Sequence, residues 1–185
     1  MSLEAIFQEI EAEHKKLPGK TSFYYKNLVS GKTFGLNASV PIIAASVIKL
    51  PIMAEFFFQA AEGQIDMNTE YAIQADDKLP SCGALNYMHD GLKVTLKDLC
   101  TLMIILSDNT ATNLLIRRLG MAEINQRIQS LGLKSTELTR LLFDAKAQDK
   151  GLENRVSAED MGLLLSLLYD GKLVNTQASN QMLNI

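Results

Sequence analysis

The chain has 185 residues, a net charge of −3, 47% hydrophobic residues and 21% charged residues. These values are ordinary for one globular domain or two small lobes that share a core. The slightly acidic balance gives no electrostatic reason to expect nucleic acid as a partner. The longest apolar stretch, residues 40–58, contains Lys49, Pro51 and Glu55 and is therefore a poor membrane span.

The first predicted elements are a helix and a hairpin. Leu3, Ile6, Phe7 and Ile10 fall on one face, which predicts an amphipathic helix over residues 2–16. Residues 21–30 are rich in Phe, Tyr and Val, and residues 32–37 follow Gly31, so we expect two antiparallel strands. Two strands alone are only marginally stable, which indicates that this hairpin needs further partners.

From residue 46 onward the chain reads mainly as helices. Caps and glycines predict helices over 46–62, over 95–106 from a capping box at Thr95 and Asp98, over 109–119 closed by Gly120, over 121–130, and from Ser157 to Tyr169. Residues 64–94 and 133–156 read as long irregular connections. Connections of that length inside a compact domain are often functional.

A serine and a lysine lie three residues apart, in Ser46-Val47-Ile48-Lys49, at the start of an apolar helix. Positions i and i+3 share a helix face, so the Lys49 amine can reach the Ser46 hydroxyl. A serine hydroxyl needs such an adjacent base to become a nucleophile. The pattern arises by chance roughly once in a chain of this length, and an N-cap serine followed by a surface lysine would also produce it. Lys49 nevertheless lies among apolar residues, where a surface role is unusual.

Ser107-Asp108-Asn109 adds a second hydroxyl and a carboxamide. Ser107 and Asp108 are also good N-caps for the helix that follows, so the motif alone could be structural. The surroundings of the motif, residues 98–103 before it and residues 107–115 from it onward, also resemble a known family.

These two motifs, with their order, spacing and surroundings, resemble the class A branch of the serine β-lactamase and penicillin-binding protein superfamily over about residues 20–170. The resemblance implies an α/β (α+β) fold of the β-lactamase/DD-peptidase type. In it, residues 1–43 would supply the first helix and two strands of the sheet lobe, and residues 44–185 a mainly helical lobe that carries both motifs.

The resemblance also implies a role for each motif residue. Ser46 would be the acylated nucleophile, Lys49 its partner in proton transfer, and Ser107 the group that passes a proton to the leaving nitrogen. Asn109 would bind the amide side chain of the substrate, and Asp108 would fix backbone amides. The expected activity is the opening of β-lactam amides through an acyl-enzyme on Ser46. The expected partner is a small β-lactam or a peptidoglycan-like peptide, and no cofactor or metal is expected.

The family pattern is not fully present. Its third motif, K-T-G on a late strand, has no match, because Lys32-Thr33-Phe34 lacks the glycine and lies too early. We therefore expect the sheet lobe to lack its C-terminal strands here and the natural chain to continue past Ile185. We also expect residues 1–185 alone to have little or no turnover.

The second departure concerns hydrolysis of the acyl-enzyme. Class A β-lactamases carry a glutamate two residues after an arginine, but Arg140 is followed by Leu141 and Leu142. Asp144 is the nearest alternative base and Glu153 the next, although both can be solvated loop acids. Without a base the acyl-enzyme would persist. The alternatives are therefore a D-alanyl-D-alanine peptidase of the penicillin-binding type and a non-catalytic β-lactam sensor.

Other chemistries fit less well. A Ser-His-Asp triad needs a suitably placed histidine, and His14 is on the terminal helix whereas His89 is in a loop. Gly31-Lys32-Thr33 resembles the end of a phosphate loop, but Lys26 occupies the required earlier glycine position. No G-x-S-x-G elbow occurs.

The cysteines and the N-terminus say little about compartment. Cys82 and Cys100 lack metal-ligand spacing, and a loop thiol with a buried helical thiol is favoured over a disulfide. The N-terminus has no basic region and no apolar core, so it is not a signal peptide. The chain is either cytosolic or the mature domain of a secreted or cell-envelope protein, and we favour the second.

Overall fold

The computed structural model describes residues 2–185. In this range the chain forms eight α-helices and six short strands. Their bounds are α1 Leu3–His14, β1 Phe23–Lys26, β2 Thr33–Leu36, β3 Ile42–Ile43, α2 Lys49–Ala61, β4 Glu70–Ala72, β5 Lys93–Thr95, α3 Leu96–Ile105, α4 Asn109–Leu119, α5 Met121–Ser130, α6 Ala145–Asp149, β6 Arg155–Val156, α7 Ala158–Tyr169 and α8 Thr176–Leu183.

The N-terminal helix and hairpin form as predicted. β1 and β2 pair antiparallel, with Phe23 opposite Leu36. The Phe7 ring of α1 stacks on Phe34 of β2, with the ring centroids 3.9 Å apart. On α7, a side chain at Gly162 would overlap the Tyr24 ring, so the glycine lets α7 pack closely on β1.

The helical part is built around α2. Nine residues of α2 are buried, including two of its phenylalanines, and α3, α4, α5 and α8 contact it. The predicted helix ends are confirmed closely: Thr95 and Asp98 form the capping box of α3, α4 ends before Gly120, and Ser157 caps α7. Periodic apolar residues with strong caps are the most reliable pattern for a helix.

The two long connections are more ordered than the sequence indicated. Residues 64–94 contribute β4, which pairs antiparallel with β5, and residues 133–156 contain α6 and β6. These strands are two or three residues long, too short for alternation to reveal them. α8 was also missed. It begins at the Asn175 side chain, which accepts a hydrogen bond from the backbone N–H of Ala178.

One strand pair ties the chain before Ser46 to a distant connection. Ile42 and Ile43 of β3 pair with Val156 and Arg155 of β6, so the chain entering the Ser46 turn is tied to the end of the 133–156 connection. The division into a sheet lobe and a helical lobe at residue 43 stays a prediction. Within residues 2–185, every helix is too short or too polar to cross a membrane.

Candidate active site

Ser46 lies in a tight turn that enters α2. The turn is a 3₁₀-helix over Ala45–Ile48 and not the first turn of an α-helix as predicted. Ala45 has a φ of 44°, and the Ala44 N–H donates to the Asn154 carbonyl at 2.8 Å. Because residues i and i+3 are eclipsed in a 3₁₀-helix, Lys49 stands directly over Ser46. Lys49 Nζ is 3.3 Å from Ser46 Oγ, and the serine is exposed.

The Lys49 ammonium is the centre of the site. Its side chain is almost fully buried, at 3% exposure. Besides Ser46, Nζ donates to Ser107 Oγ at 2.7 Å, to the Ser107 carbonyl at 2.8 Å and to Asn109 Oδ1 at 3.1 Å. Burial lowers the pKa of Lys49 by removing water from the charged amine, and this effect outweighs the opposite effects of Cys82 and Asp108. The neutral amine is therefore more accessible here than in an ordinary lysine.

The second motif meets the first at Ser107. Ser107 Oγ is 2.8 Å from Ser46 Oγ, so two hydroxyls and the Lys49 amine form one hydrogen-bonded cluster. Ser107 has a φ of 53°, in the left-handed region. Strained backbone of this kind is found preferentially at functional sites. Ser46, Lys49, Ser107 and Asn109, to which the resemblance gave roles, thus lie together, and those roles stay predictions.

Asp108 points away from this cluster. Its Oδ2 accepts from the backbone N–H groups of Ala84 and Leu85 at 2.7 and 2.9 Å, and its Oδ1 accepts from Ala111 at 2.9 Å. It is both the N-cap of α4 and the anchor of the 82–85 segment. A side chain on Gly83 would overlap the Asp108 carboxylate, which explains the close approach of that segment.

A cavity of about 320 Å³ opens beside Ser46. Its polar lining includes Asn109, Glu153 and Asn154, and its apolar lining includes Leu142 and Phe143. The Asn113 carboxamide fixes Leu142, because Nδ2 donates to the Leu142 carbonyl and Oδ1 accepts from its N–H, both at 2.9 Å. The full lining is Ile43, Ala45, Ser46, Ser81, Cys82, Asn109, Arg140, Leu142, Phe143, Gln148, Glu153 and Asn154.

Neither predicted alternative base is free at this cavity. Glu153 lines it, but Arg140 holds the Glu153 carboxylate at 2.7 Å, and this hydrogen bond lowers the pKa of Glu153. Asp144 caps α6, with its Oδ1 accepting from the Ala147 N–H at 3.0 Å, and is absent from the lining. The position predicted for a catalytic glutamate therefore presents Leu142 to the cavity.

Three residues that line the cavity or position its lining were not found from the sequence: Asn113, which holds Leu142, and the lining residues Cys82 and Asn154. Asn113 follows Asn109 by four residues and so lies on the same face of α4, which was a usable signal. Asn154 Oδ1 accepts hydrogen bonds from the N–H groups of Thr139 and Arg140 and so joins the two ends of the 139–154 loop. Cys82 forms part of the cavity wall. Nothing in the local sequence marks these two.

Known proteins resemble the chain over nearly its whole length. The sequence model of the β-lactamase enzyme family matches residues 2–185. The β-lactamase PSE-4 of Pseudomonas aeruginosa is 22% identical over 97% of this chain, which spans 66% of PSE-4. The chain thus spans about two thirds of the length of such curated relatives.

Two solved structures are more similar in sequence. The crystal structure of a β-lactamase from Sphaerobacter thermophilus is 30% identical with a TM-score of 0.86, covering 100% of this chain and 69% of that one. A leucine-to-glutamate mutant of PBP-A, solved as an acyl-enzyme complex with penicillin G, is 30% identical with a TM-score of 0.87, covering 98% and 68%. These likenesses confirm the fold class that the sequence predicted.

Proposed function

The chain belongs to the β-lactamase enzyme family, and we propose that it is the acylating part of a class A-like serine hydrolase that opens β-lactam amides through an acyl-enzyme on Ser46. One observation carries the proposal. Ser46 Oγ, Lys49 Nζ and Ser107 Oγ lie within 3.3 Å of one another, and Ser46 lines a cavity of about 320 Å³, which fits a small molecule. A nucleophile within reach of a base is the geometry that nucleophilic catalysis requires.

The first step proposed is acylation. Neutral Lys49 takes the Ser46 proton, and Oγ bonds to the lactam carbonyl carbon. Ser107 then delivers a proton to the lactam nitrogen as the C–N bond breaks, and Lys49 replaces the proton that Ser107 gave. The 2.7 Å contact between Lys49 and Ser107 provides that return path. The backbone N–H of Ser46 would supply one donor to the developing oxyanion.

The remaining motif residues would hold the substrate and the site. Asn109 Oδ1 is engaged by Lys49, so its Nδ2 is the donor for the substrate's amide carbonyl. Asp108 would act only through structure, because its carboxylate binds three backbone N–H groups away from the cavity. The substrate is therefore a β-lactam that carries an acylamino group, and a peptidoglycan-like peptide with the same groups is the related ligand.

A second candidate function follows from Leu142. Hydrolysis of an acyl-enzyme needs a water activated by a base. The cavity has Leu142 at the position expected for a carboxylate, and the Glu153 carboxylate is paired with Arg140. Asp144 is the remaining candidate base, with one carboxylate oxygen bound to Ala147. The presence of Leu142 in place of a base favours a persistent acyl-enzyme, as in a penicillin-binding peptidase or a sensor.

One experiment on the full-length protein separates these functions. The protein is incubated with benzylpenicillin and its intact mass is followed over time. We expect an adduct of one penicillin that Ser46→Ala does not form. Rapid return to the free mass supports a β-lactamase, and a lasting adduct supports the peptidase or sensor. Absence of any difference between the wild type and Ser46→Ala contradicts the whole proposal.

We also propose that the natural protein acts in the cell envelope or is secreted, because its β-lactam and peptidoglycan-like ligands are met there. Fractionation of the source cells tests this proposal. Recovery of the protein only from the cytoplasmic fraction contradicts it.

A further inference from the structure

The cavity wall contains a strained aromatic residue, Phe143. Its φ is 60°, in the left-handed region, and 50% of it is exposed. Bulky residues rarely adopt this backbone conformation, and one that does is a true outlier. Burial does not repay the strain, because half of the side chain faces solvent. Strained residues persist where the surrounding structure fixes them, and they cluster at sites that bind ligands.

The chain fixes Phe143 from both sides. The residue before it, Leu142, is held by two hydrogen bonds to the Asn113 side chain, which is itself buried. After it, the Ala145 N–H donates to the Phe143 carbonyl at 3.1 Å, and the Asp144 side chain caps α6. The turn is therefore pinned, and its aromatic side chain is held at the cavity.

Phe143 shares the cavity lining with two other large apolar residues, and the charged residues of the lining carry no net charge. Leu142 and Ile43 line the same cavity, and Ile43 is 62% exposed. The charged lining residues are Arg140 and Glu153, which neutralise each other through a 2.7 Å contact. Because these two charges are paired with each other, the lining offers no unpaired charge to compensate the desolvation of a charged ligand group. An uncharged apolar group, by contrast, would remove the exposed Phe143 and Ile43 side chains and the partly exposed Leu142 from water.

We propose that Phe143, with Leu142 and Ile43, selects β-lactams whose acyl substituent is aromatic and uncharged. This inference rests on the proposed function, because it assumes that the β-lactam is attacked by Ser46 and that its acylamino group binds Asn109. The group beyond that amide then lies in the cavity that Phe143 lines. Aromatic pairs gain more than the area they bury, so an aryl substituent is favoured over an alkyl one.

Two penicillins that share the amide but differ beyond it provide the test. Benzylpenicillin carries a phenylacetyl group, and 6-acetamidopenicillanic acid carries only an acetyl group. The measurement is the second-order rate of adduct formation by the full-length protein, followed by intact mass. We expect the wild type to react about tenfold faster with benzylpenicillin, in line with the gain from burying one aryl group.

Phe143→Gly separates binding from folding. Glycine adopts a φ of 60° without strain, so this variant should be at least as stable to denaturant as the wild type. It should nevertheless lose the preference and react with both penicillins at rates within about twofold of each other. Phe143→Tyr, which keeps the ring, should keep the preference. Leu152→Ala is the matched control, because Leu152 lies in the same loop at 42% exposure but is absent from the cavity lining.

The outcomes distinguish the inference from the function on which it rests. Equal rates for both penicillins in the wild type, or an unchanged preference in Phe143→Gly, overturn the inference while acylation stands. If the wild type reacts with neither penicillin, the proposed function and the inference both fall. A preference lost in Phe143→Gly and kept in Phe143→Tyr and Leu152→Ala supports the inference.

Discussion

Leu142→Glu is the substitution that most sharply tests how the acyl-enzyme is resolved. Leu142 lines the cavity that contains Ser46, and two hydrogen bonds of 2.9 Å to Asn113 fix its backbone. A glutamate there would place a carboxylate in the cavity without moving the main chain. A positioned general base contributes about 10²–10⁴ in rate, which corresponds to about 2.7–5.4 kcal/mol of barrier.

The loss of stability from this substitution should be smaller. Leu142 is partly buried, so removing its apolar contacts costs about 1–2 kcal/mol of folding free energy. A typical domain has about 5–15 kcal/mol in total. We therefore expect Leu142→Glu to fold and to return from the acylated to the free mass at least about a hundredfold faster than the wild type.

The assay is intact mass after a brief pulse of benzylpenicillin, with excess antibiotic removed. Leu142→Gln is the matched control, because glutamine has the shape of glutamate and a polar end but cannot act as a base near neutral pH. An adduct lifetime unchanged in Leu142→Glu, or shortened equally in both variants, refutes the argument that the missing carboxylate is what limits hydrolysis.

Three further predictions concern neighbouring groups. The rate of acylation should rise with pH through the lowered pKa of Lys49, because only the neutral amine accepts a proton, and a rate independent of pH contradicts that role. Gly83→Ala, whose new Cβ would lie 2.7 Å from the Asp108 Cα, should lower the free energy of unfolding by about 1–3 kcal/mol in urea and slow acylation. Iodoacetamide should label exposed Cys82 in the native protein but Cys100 only after unfolding, because burial raises the pKa of the Cys100 thiol to about 12. Mass spectrometry of the labelled peptides measures this, and labelling of Cys100 in the native protein contradicts the prediction.

Local spacing predicted one half of the site. Ser46 and Lys49 stand at positions i and i+3, which share a face in an α-helix and in a 3₁₀-helix, and their side chains meet at 3.3 Å. Capped, periodic helices such as α3 and α4 were likewise predictable, because each end carries its own chemical pattern.

The rest depends on contacts between distant parts of the chain. The resemblance joined Ser107 to Ser46, but the residues themselves could not, since 61 positions separate them. The bonds from Asn113 to Leu142 span 29 positions, and a carboxamide that binds backbone looks like any other polar residue in the sequence. The short strands β3 and β6 were missed for the same reason, because pairing across the fold defines them more than composition does.

The central claim is that Ser46 is the nucleophile, and the site of covalent attachment tests it most directly. The full-length protein is treated with benzylpenicillin, quenched, digested and analysed by tandem mass spectrometry. We predict that the penicilloyl group is on Ser46 and that Ser46→Ala carries none. An adduct on the neighbouring thiol of Cys82, or equal labelling of Ser46→Ala, would contradict the account.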